Sequence, residues 1–308
     1  MNWKSLLKSQ GYLVADGAMG TQLAARGLEP GTPPEVWNLD RPDAVADVAR
    51  AYADAGAQVV LTNTFGANRL KLARPGLADR VAEVNAAAVE AARRGAGGRA
   101  LVFASVGPTG EFMAPLGARP REAFVECFAE QARACIEAGA DGICIETMTA
   151  LEEALAALAG ARAAGGDVPV VVSMTFDRGP KGFATMMGVR PEQAARALDE
   201  AGADLVGSNC GNGIAGLIEV ARQFRAATRR PVWMKPNAGL PQLLGGKTVF
   251  RETPEEMAGQ VAALLAAGAN VVGGCCGTTP DHIRAMAAAA LAARPTALDA
   301  GRDVLAAL

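Results

Sequence analysis

Histidine is nearly absent: His282 is the only one in 308 residues. It follows Thr279-Pro280-Asp281, which reads as a helix start with Thr at the N-cap and Pro at the first helical position. His282 is therefore expected at the surface of a first turn, not as a ligand or base, and a serine or cysteine hydrolase with a histidine base is disfavoured. Aromatic residues make up 5% of the chain, and Tyr12 and Tyr52 are the only tyrosines. No sign of charge dominates. The net charge is -2, and Lys and Arg are scattered, so the electrostatic footprint of a nucleic-acid-binding protein is missing. No apolar run approaches the ~18 residues of a membrane span. The stretch Met1-Asn2-Trp3-Lys4-Ser5-Leu6-Leu7-Lys8 lacks the apolar core of a signal peptide. Six cysteines without a secretory signal point to a reducing, cytoplasmic setting, where clustered thiols bind metal or do chemistry more often than they pair. There is no Walker-type phosphate loop.

What the chain has in abundance is alanine, glycine and a repeated phrase. Ala55-Gly56-Ala57-Gln58, Ala138-Gly139-Ala140-Asp141, Ala201-Gly202-Ala203-Asp204 and Ala267-Gly268-Ala269-Asn270 each close an Ala-rich helical stretch. The glycine stands where a left-handed helix C-cap belongs. Each phrase precedes an apolar run: Val59-Leu61, Ile143-Ile145, Leu205-Val206 and Val271-Val272. Four further β-like runs lie between them, Tyr12-Ala15, Leu101-Ser105, Val168-Met174 and Pro231-Met234. Eight strands, each followed by a helix, imply a closed (β/α)8 TIM barrel in a single domain, with a doubly wound open sheet as the alternative. The core is expected over about residues 11–293, with 294–308 as a peripheral tail. A barrel of this kind places its chemistry at the C-terminal ends of the strands. On strand 4, the period of two puts Gly142, Cys144 and Glu146 on the barrel axis and Ile143 and Ile145 against the helices.

The unusual residues fall at those strand ends. Cys275-Cys276, in Gly273-Gly274-Cys275-Cys276-Gly277-Thr278-Thr279, would point to opposite faces of an ideal strand, and the flanking glycines let both sulfurs turn toward one point. Cys210, in Gly207-Ser208-Asn209-Cys210-Gly211, ends another apolar run. Cys210, Cys275 and Cys276 are read as a Zn2+ site with one tetrahedral position open, the arrangement of a catalytic site. Cys127 and Cys135 are expected in a helix core, and Cys144 mid-strand. Asp16 and Glu146 place two carboxylates at the barrel mouth.

Two competing motifs are weighed against this. Gly211-Asn212-Gly213-Ile214-Ala215-Gly216 matches the dinucleotide fingerprint, but Thr228-Arg229-Arg230-Pro231 stands where its acidic partner belongs. The glycines are read as flexibility around Cys210. Lys235, at the end of strand 7, is the one candidate for a Schiff-base lysine of an aldolase-like, phosphate-binding barrel. A redox or zinc-holding protein whose cysteines cycle through a disulfide is a further alternative.

Taken together, Asp16-Gly17-Ala18-Met19-Gly20-Thr21, Leu61-Thr62-Asn63-Thr64-Phe65-Gly66, Gly107-Pro108-Thr109-Gly110, Glu146-Thr147, Asn209-Cys210, Pro236-Asn237-Ala238-Gly239 and Gly273-Gly274-Cys275-Cys276-Gly277-Thr278 resemble the zinc-dependent homocysteine S-methyltransferases. The likeness is nearest to the homocysteine-binding module of cobalamin-dependent methionine synthase. It implies zinc on Cys210, Cys275 and Cys276, with homocysteine sulfur at the open position. It also implies that Asp16 and Glu146 hold the substrate ammonium and that Gly17 and Thr64 help bind its carboxylate. The product would be methionine, and the donor a small molecule or a separate methyl-corrinoid protein. The sequence offers no Asp-x-His-x-x-Gly cobalamin ligand. Betaine-using members carry aromatics for a quaternary ammonium; here Gly66 and Thr147 stand at the expected positions. A related methyltransferase, moving methyl groups between other thiols and a corrinoid protein, remains open.

Overall fold

The computed structural model describes residues 2–244 and 247–308. Eight parallel strands form one sheet: β1 (Leu13–Val14), β2 (Val59–Leu61), β3 (Leu101–Val106), β4 (Gly142–Met148), β5 (Val170–Met174), β6 (Leu205–Gly213), β7 (Val232–Asn237) and β8 (Val271–Val272). Their order is β1-β8-β7-β6-β5-β4-β3-β2, and a parallel bridge from Ala15 to Val59 joins the two ends into a barrel. The helices that return the chain are α1 (Pro42–Asp54), α2 (Val81–Ala96), α3 (Arg121–Glu137), α4 (Leu151–Ala163), α5 (Pro191–Glu200), α6 (Ile214–Ala227), α7 (Pro254–Ala266) and α8 (Pro280–Ala292). This is the (β/α)8 architecture expected from the alternation of strands and helices.

The repeated phrase does the work its glycine implies. Gly56, Gly139, Gly202 and Gly268 end α1, α3, α5 and α7 with φ of 99, 92, 86 and 100°. These values lie in the left-handed region that glycine enters at little cost. The apolar run that follows each of them then starts an even-numbered strand.

Two cores result. The outer one packs strand residues such as Ile143 and Ile145 against the helices. The inner one fills the barrel with Leu13, Val59, Phe103, Cys144, Trp233 and Val271, among others. The expected parity of β4 holds, with Cys144 inside and its two isoleucine neighbours outside. Phe103 and Trp233 stack across the axis, ring centroids 6.3 Å apart. Gly142 makes room for them, since a Cβ there would sit 2.7 Å from the Phe103 ring.

The barrel is closed at one end only. Trp3 and Leu7 of the helix Trp3–Gln10 belong to the inner core, and Leu305 and Leu308 of the tail pack against it. The tail forms two helices, Arg294–Ala300 and Arg302–Ala307, which bury Ala297 and Val304. At the opposite end the buried residues turn polar: Asp16, Ser105, Glu146, Asn209, Lys235 and Asn237 follow the aliphatic layers. β6 and β7 run beyond the apolar segments that mark them in sequence, and these extensions carry Asn209, Cys210, Lys235 and Asn237. Two short hairpins, Asp177–Gly179 with Gly182–Ala184 and Gln242–Leu244 with Lys247–Val249, add to the loops at this end. Among the described residues no helix is long and apolar enough to cross a membrane.

Candidate functional site

Cys210, Cys275 and Cys276 meet at the open end. Their sulfurs all lie within 4.8 Å of one another. Cys210 Sγ is 3.6 Å from both Cys275 Sγ and Cys276 Sγ. A tetrahedral ion with metal–sulfur bonds of ~2.3 Å holds its sulfurs about 3.8 Å apart. The donor set therefore fits a soft tetrahedral cation with little movement. Among the described residues these three are the only such group of candidate ligands, which leaves one tetrahedral position unassigned by the protein. Sulfur–sulfur hydrogen bonding, acting in both directions, and then burial hold each thiol at about 12. A divalent cation reverses that balance, because it binds and stabilises the thiolate.

The backbone is distorted to bring the sulfurs in. Cys210 has φ 63° and Gly211 φ 62°. A left-handed cysteine is uncommon, and such strain persists only where the surroundings hold it. Cys275 and Cys276 lie past the end of β8, in a turn closed by Thr278 N–H and Thr278 Oγ1 on the Cys275 carbonyl, at 3.2 and 2.7 Å. Gly274 is required by crowding, since a Cβ there would sit 2.4 Å from Thr278 Oγ1. Gly277 is the glycine of this turn with positive φ, 80°.

Two asparagines fasten the cysteine segments together. Asn209 Oδ1 accepts Thr147 N–H at 2.8 Å and Ser173 Oγ–H at 2.7 Å, while its Nδ2 donates to Thr147 Oγ1 and to Cys275 Sγ. Asn237 Oδ1 accepts Cys276 N–H at 3.0 Å, and Asn237 Nδ2 donates to the Gly211 carbonyl at 3.3 Å. Thr147, like Cys210, is left-handed, with φ 62°.

The sulfurs open onto a cavity of about 450 Å³. Gly17, Glu35, Ser105, Glu146, Thr147 and Lys235 share its wall with them, and Phe65 forms part of the lip. Glu146 is 8% exposed and accepts Ser105 Oγ–H at 2.5 Å. Burial raises its carboxyl above the ordinary carboxylate range, against the opposing pull of Lys235. Asp16 and Thr64 lie behind this wall. Asp16 Oδ1 accepts Lys235 Nζ–H at 2.6 Å, and Asp16 Oδ2 accepts Leu61 N–H at 2.7 Å. Thr64 Oγ1 is fully buried against Thr62 Oγ1 and the Ser105 carbonyl. Of the residues that sequence placed on the substrate, Gly17 and Glu146 reach the cavity directly.

His282 departs from its sequence reading. It is 7% exposed, not a surface residue. Its Nδ1 accepts Thr279 N–H at 3.2 Å, and its Nε2 lies 2.9 Å from the Glu252 carbonyl. α8 does start here, with Thr279 at its N-cap, but the segment carrying Glu252 covers the histidine. Glu252 also bears on the glycine-rich stretch, because its carboxylate lies against Gly213 just before α6, where a Cβ would sit 2.6 Å from Glu252 Oε1. The helix N-terminus that a dinucleotide would use is thus already occupied by an acid. Cys127, Cys135 and Cys144 are all buried core thiols, and Cys135 is pushed up to about 12 by burial. Lys235 is a poor Schiff-base nucleophile. Burial would lower its pKa, but Asp16 and then Glu146 together raise it above the ordinary lysine range and keep it charged.

Sequence reasoning gave no role to Asn237, Ser105 or Glu35, and quoted Asn209 without one. The asparagines follow directly from their position beside ligand-bearing strand ends. Glu35 had no signal, since it comes from a short 3-10 turn, Pro34–Val36, before α1 and reaches the wall by accepting Gly66 N–H at 2.6 Å.

Comparison with known proteins bears on the same residues. A family profile described as homocysteine S-methyltransferase matches residues 13–290. The chain is 36% identical over 301 residues to the methionine synthase of Mycobacterium leprae, covering 91% of this chain and 24% of that protein. It is 37% identical over 301 residues to the methionine synthase of Mycobacterium tuberculosis, again over 91% of this chain and 25% of the relative. The chain thus spans about a quarter of the length of these curated relatives. Among solved structures, the metallated form of the homocysteine methyltransferase MmuM from Escherichia coli matches with a TM-score of 0.75 at 25% identity, over 92% of this chain and 98% of that one. The matched span runs from β1 into α8 and contains the three cysteines and the cavity wall, and the chain belongs to the homocysteine S-methyltransferase family of methyltransferases.

Proposed function

We propose that the protein methylates the sulfur of homocysteine to give methionine, with Cys210, Cys275 and Cys276 holding a zinc ion. The observation that carries this is the sulfur triangle itself, with two edges of 3.6 Å at Cys210, opening onto a cavity that also carries the buried acid Glu146. Bound there, zinc would supply what a free thiol lacks at neutral pH: a substrate sulfur held as thiolate and still nucleophilic.

The remaining roles belong to the chain. Asn209 Nδ2 donates to Cys275 Sγ at 3.7 Å, which favours the thiolate form of that ligand and fixes its direction. Asn237 holds the Cys276 backbone against Gly211, so that the two cysteine segments stay in register. Glu146 is oriented by Ser105 and takes the ammonium of the amino-acid thiol. Gly17 presents backbone to the cavity for the carboxylate, and Asp16 and Thr64 brace the wall from behind. Homocysteine sulfur then attacks the donor methyl carbon in line. The leaving group departs with the bonding pair, and no protein base is needed because the thiol proton passes to solvent when the sulfur binds as thiolate. His282, committed to Thr279 and Glu252, takes no part.

The methyl donor is a methyl-corrinoid or a small methylated compound. Zinc-loaded protein incubated with homocysteine and, in turn, methylcobalamin, S-methylmethionine and betaine tests both activity and donor. Methionine formed with at least one donor is the expected result, and none with any donor would remove the reading.

A further inference from the structure

Thr147, with φ 62°, sits where the pairing of β4 with β5 shifts register between Ile145 and Met148. A β-branched residue rarely takes that conformation, and its surroundings must hold it there. What holds it is Asn209. Thr147 N–H donates to Asn209 Oδ1 at 2.8 Å, and Thr147 Oγ1 accepts Asn209 Nδ2–H at 2.7 Å, so one residue grips both ends of one amide. Ser173 Oγ–H takes the other lone pair of Oδ1, and the second proton of Nδ2 goes to Cys275 Sγ. All four hydrogen-bonding positions of this fully buried side chain are thereby used.

The hydroxyls of Thr147 and Ser173 can each donate or accept. A backbone N–H only donates, so the Thr147 amide is the contact that decides which end of Asn209 faces the sulfur. Turned over, the side chain would set Oδ1 against Cys275 Sγ and Nδ2 against Thr147 N–H, donor against donor.

We propose that Thr147 is a positioning residue: it locks Asn209 with Nδ2–H on Cys275, and this lock keeps the methyl group off the ligand and directs it to the substrate sulfur. The proposal rests on the zinc methyltransferase reading above. Any ligand thiolate competes with the substrate for the donor. Its sulfur would form the S–CH3 bond, the leaving group would depart with the electron pair, and the ligand would end as a thioether. An N–H on the sulfur stabilises the charge that this attack consumes, so it slows the side reaction.

Methyl iodide, applied to protein in excess zinc without homocysteine, tests this. Peptide mass spectrometry reads S-methylation at each cysteine, and the ratio of Cys275 to Cys276 is the measured quantity, since both see the same reagent and the same metal. Thr147→Ser keeps both contacts and is expected to stay within about 2-fold of wild type. Thr147→Val loses Oγ1 and leaves a left-handed β-branched residue unsupported, and a rise of ~3–10-fold is expected. Thr147→Gly loses Oγ1 but keeps the N–H in place, because glycine tolerates positive φ, and falls between the two. A residue needed only for folding would lower the unfolding midpoint and leave the ratio alone. If the valine variant does not fold, glycine against serine makes the same comparison. An unchanged ratio in the folded, zinc-loaded variants overturns the inference and leaves the methyltransferase reading in place. Wild-type protein whose three cysteines bind no zinc overturns both.

Discussion

Asn209 and Cys275 are joined by a hydrogen bond, Nδ2 to Sγ at 3.7 Å, between the residue that precedes Cys210 on β6 and the first sulfur after β8. The bond ties two ligand segments that are distant in sequence, and the same side chain also holds Thr147 and Ser173. Removing it releases one sulfur and leaves the half-buried Thr147 amide without its acceptor.

Asn209→Ala is accordingly expected to weaken metal binding by ~10–100-fold, the usual cost of losing an outer-shell partner. It should also destabilise the fold by ~1–3 kcal/mol through the unsatisfied amide. Competition with a chromogenic chelator reads the first effect and denaturant unfolding the second. Unchanged metal affinity would place Asn209 outside the ligand-holding network.

Glu146→Gln keeps the shape and the Ser105 contact but removes the charge. The expected result is a rise in KM for homocysteine of ~10–100-fold, from losing a charge-assisted bond to the ammonium, with a smaller change in kcat. Steady-state kinetics at saturating donor checks it, and a loss confined to kcat would contradict the assignment.

The raised pKa of Glu146 sets a pH dependence. The ionised form binds ammonium, so protonation on acidification weakens homocysteine binding. Because burial lifts this carboxyl above 4.5, the loss begins at a higher pH than an ordinary glutamate would give. The same homocysteine titration of Glu146→Gln reports loss of the metal site without this carboxyl, and the acid-side difference between the two proteins is the part owed to Glu146. Curves of the same shape for both proteins would contradict the assignment.

His282 is structural, so His282→Ala is expected to cost ~1 kcal/mol of stability, as for a lost helix cap, with metal content and turnover retained. Thermal unfolding and methionine formation measured on the same preparation check both halves. A large fall in turnover at full metal occupancy would give the histidine a chemical role.

Much of the barrel is legible in the sequence because each level of description repeats. The Ala-Gly-Ala phrase marks a helix end by φ and a strand start by the apolar run after it, so four phrases and the runs between them fix the alternation. The cysteines are legible because soft ligands are rare and these three fall at strand ends. Lys235 and Asp16 are not legible as a pair. They are 219 residues apart, and they meet only because closure places β1 near β7, with the short β8 between them. Read singly, Asp16 is a free carboxylate and Lys235 a free amine, and neither points to the other. His282 shows the same limit: its helix start is local, whereas its burial depends on a loop laid over it from residue 252.

The most direct test of the central claim is metal content and methionine formation measured together on wild type, Cys210→Ala and Cys275→Ala. Circular dichroism should first show that the barrel is intact in each. One zinc per chain and turnover in the wild type, with both lost in each folded variant, is the expected result. A folded variant that holds no zinc and still turns over at the wild-type rate would contradict the account.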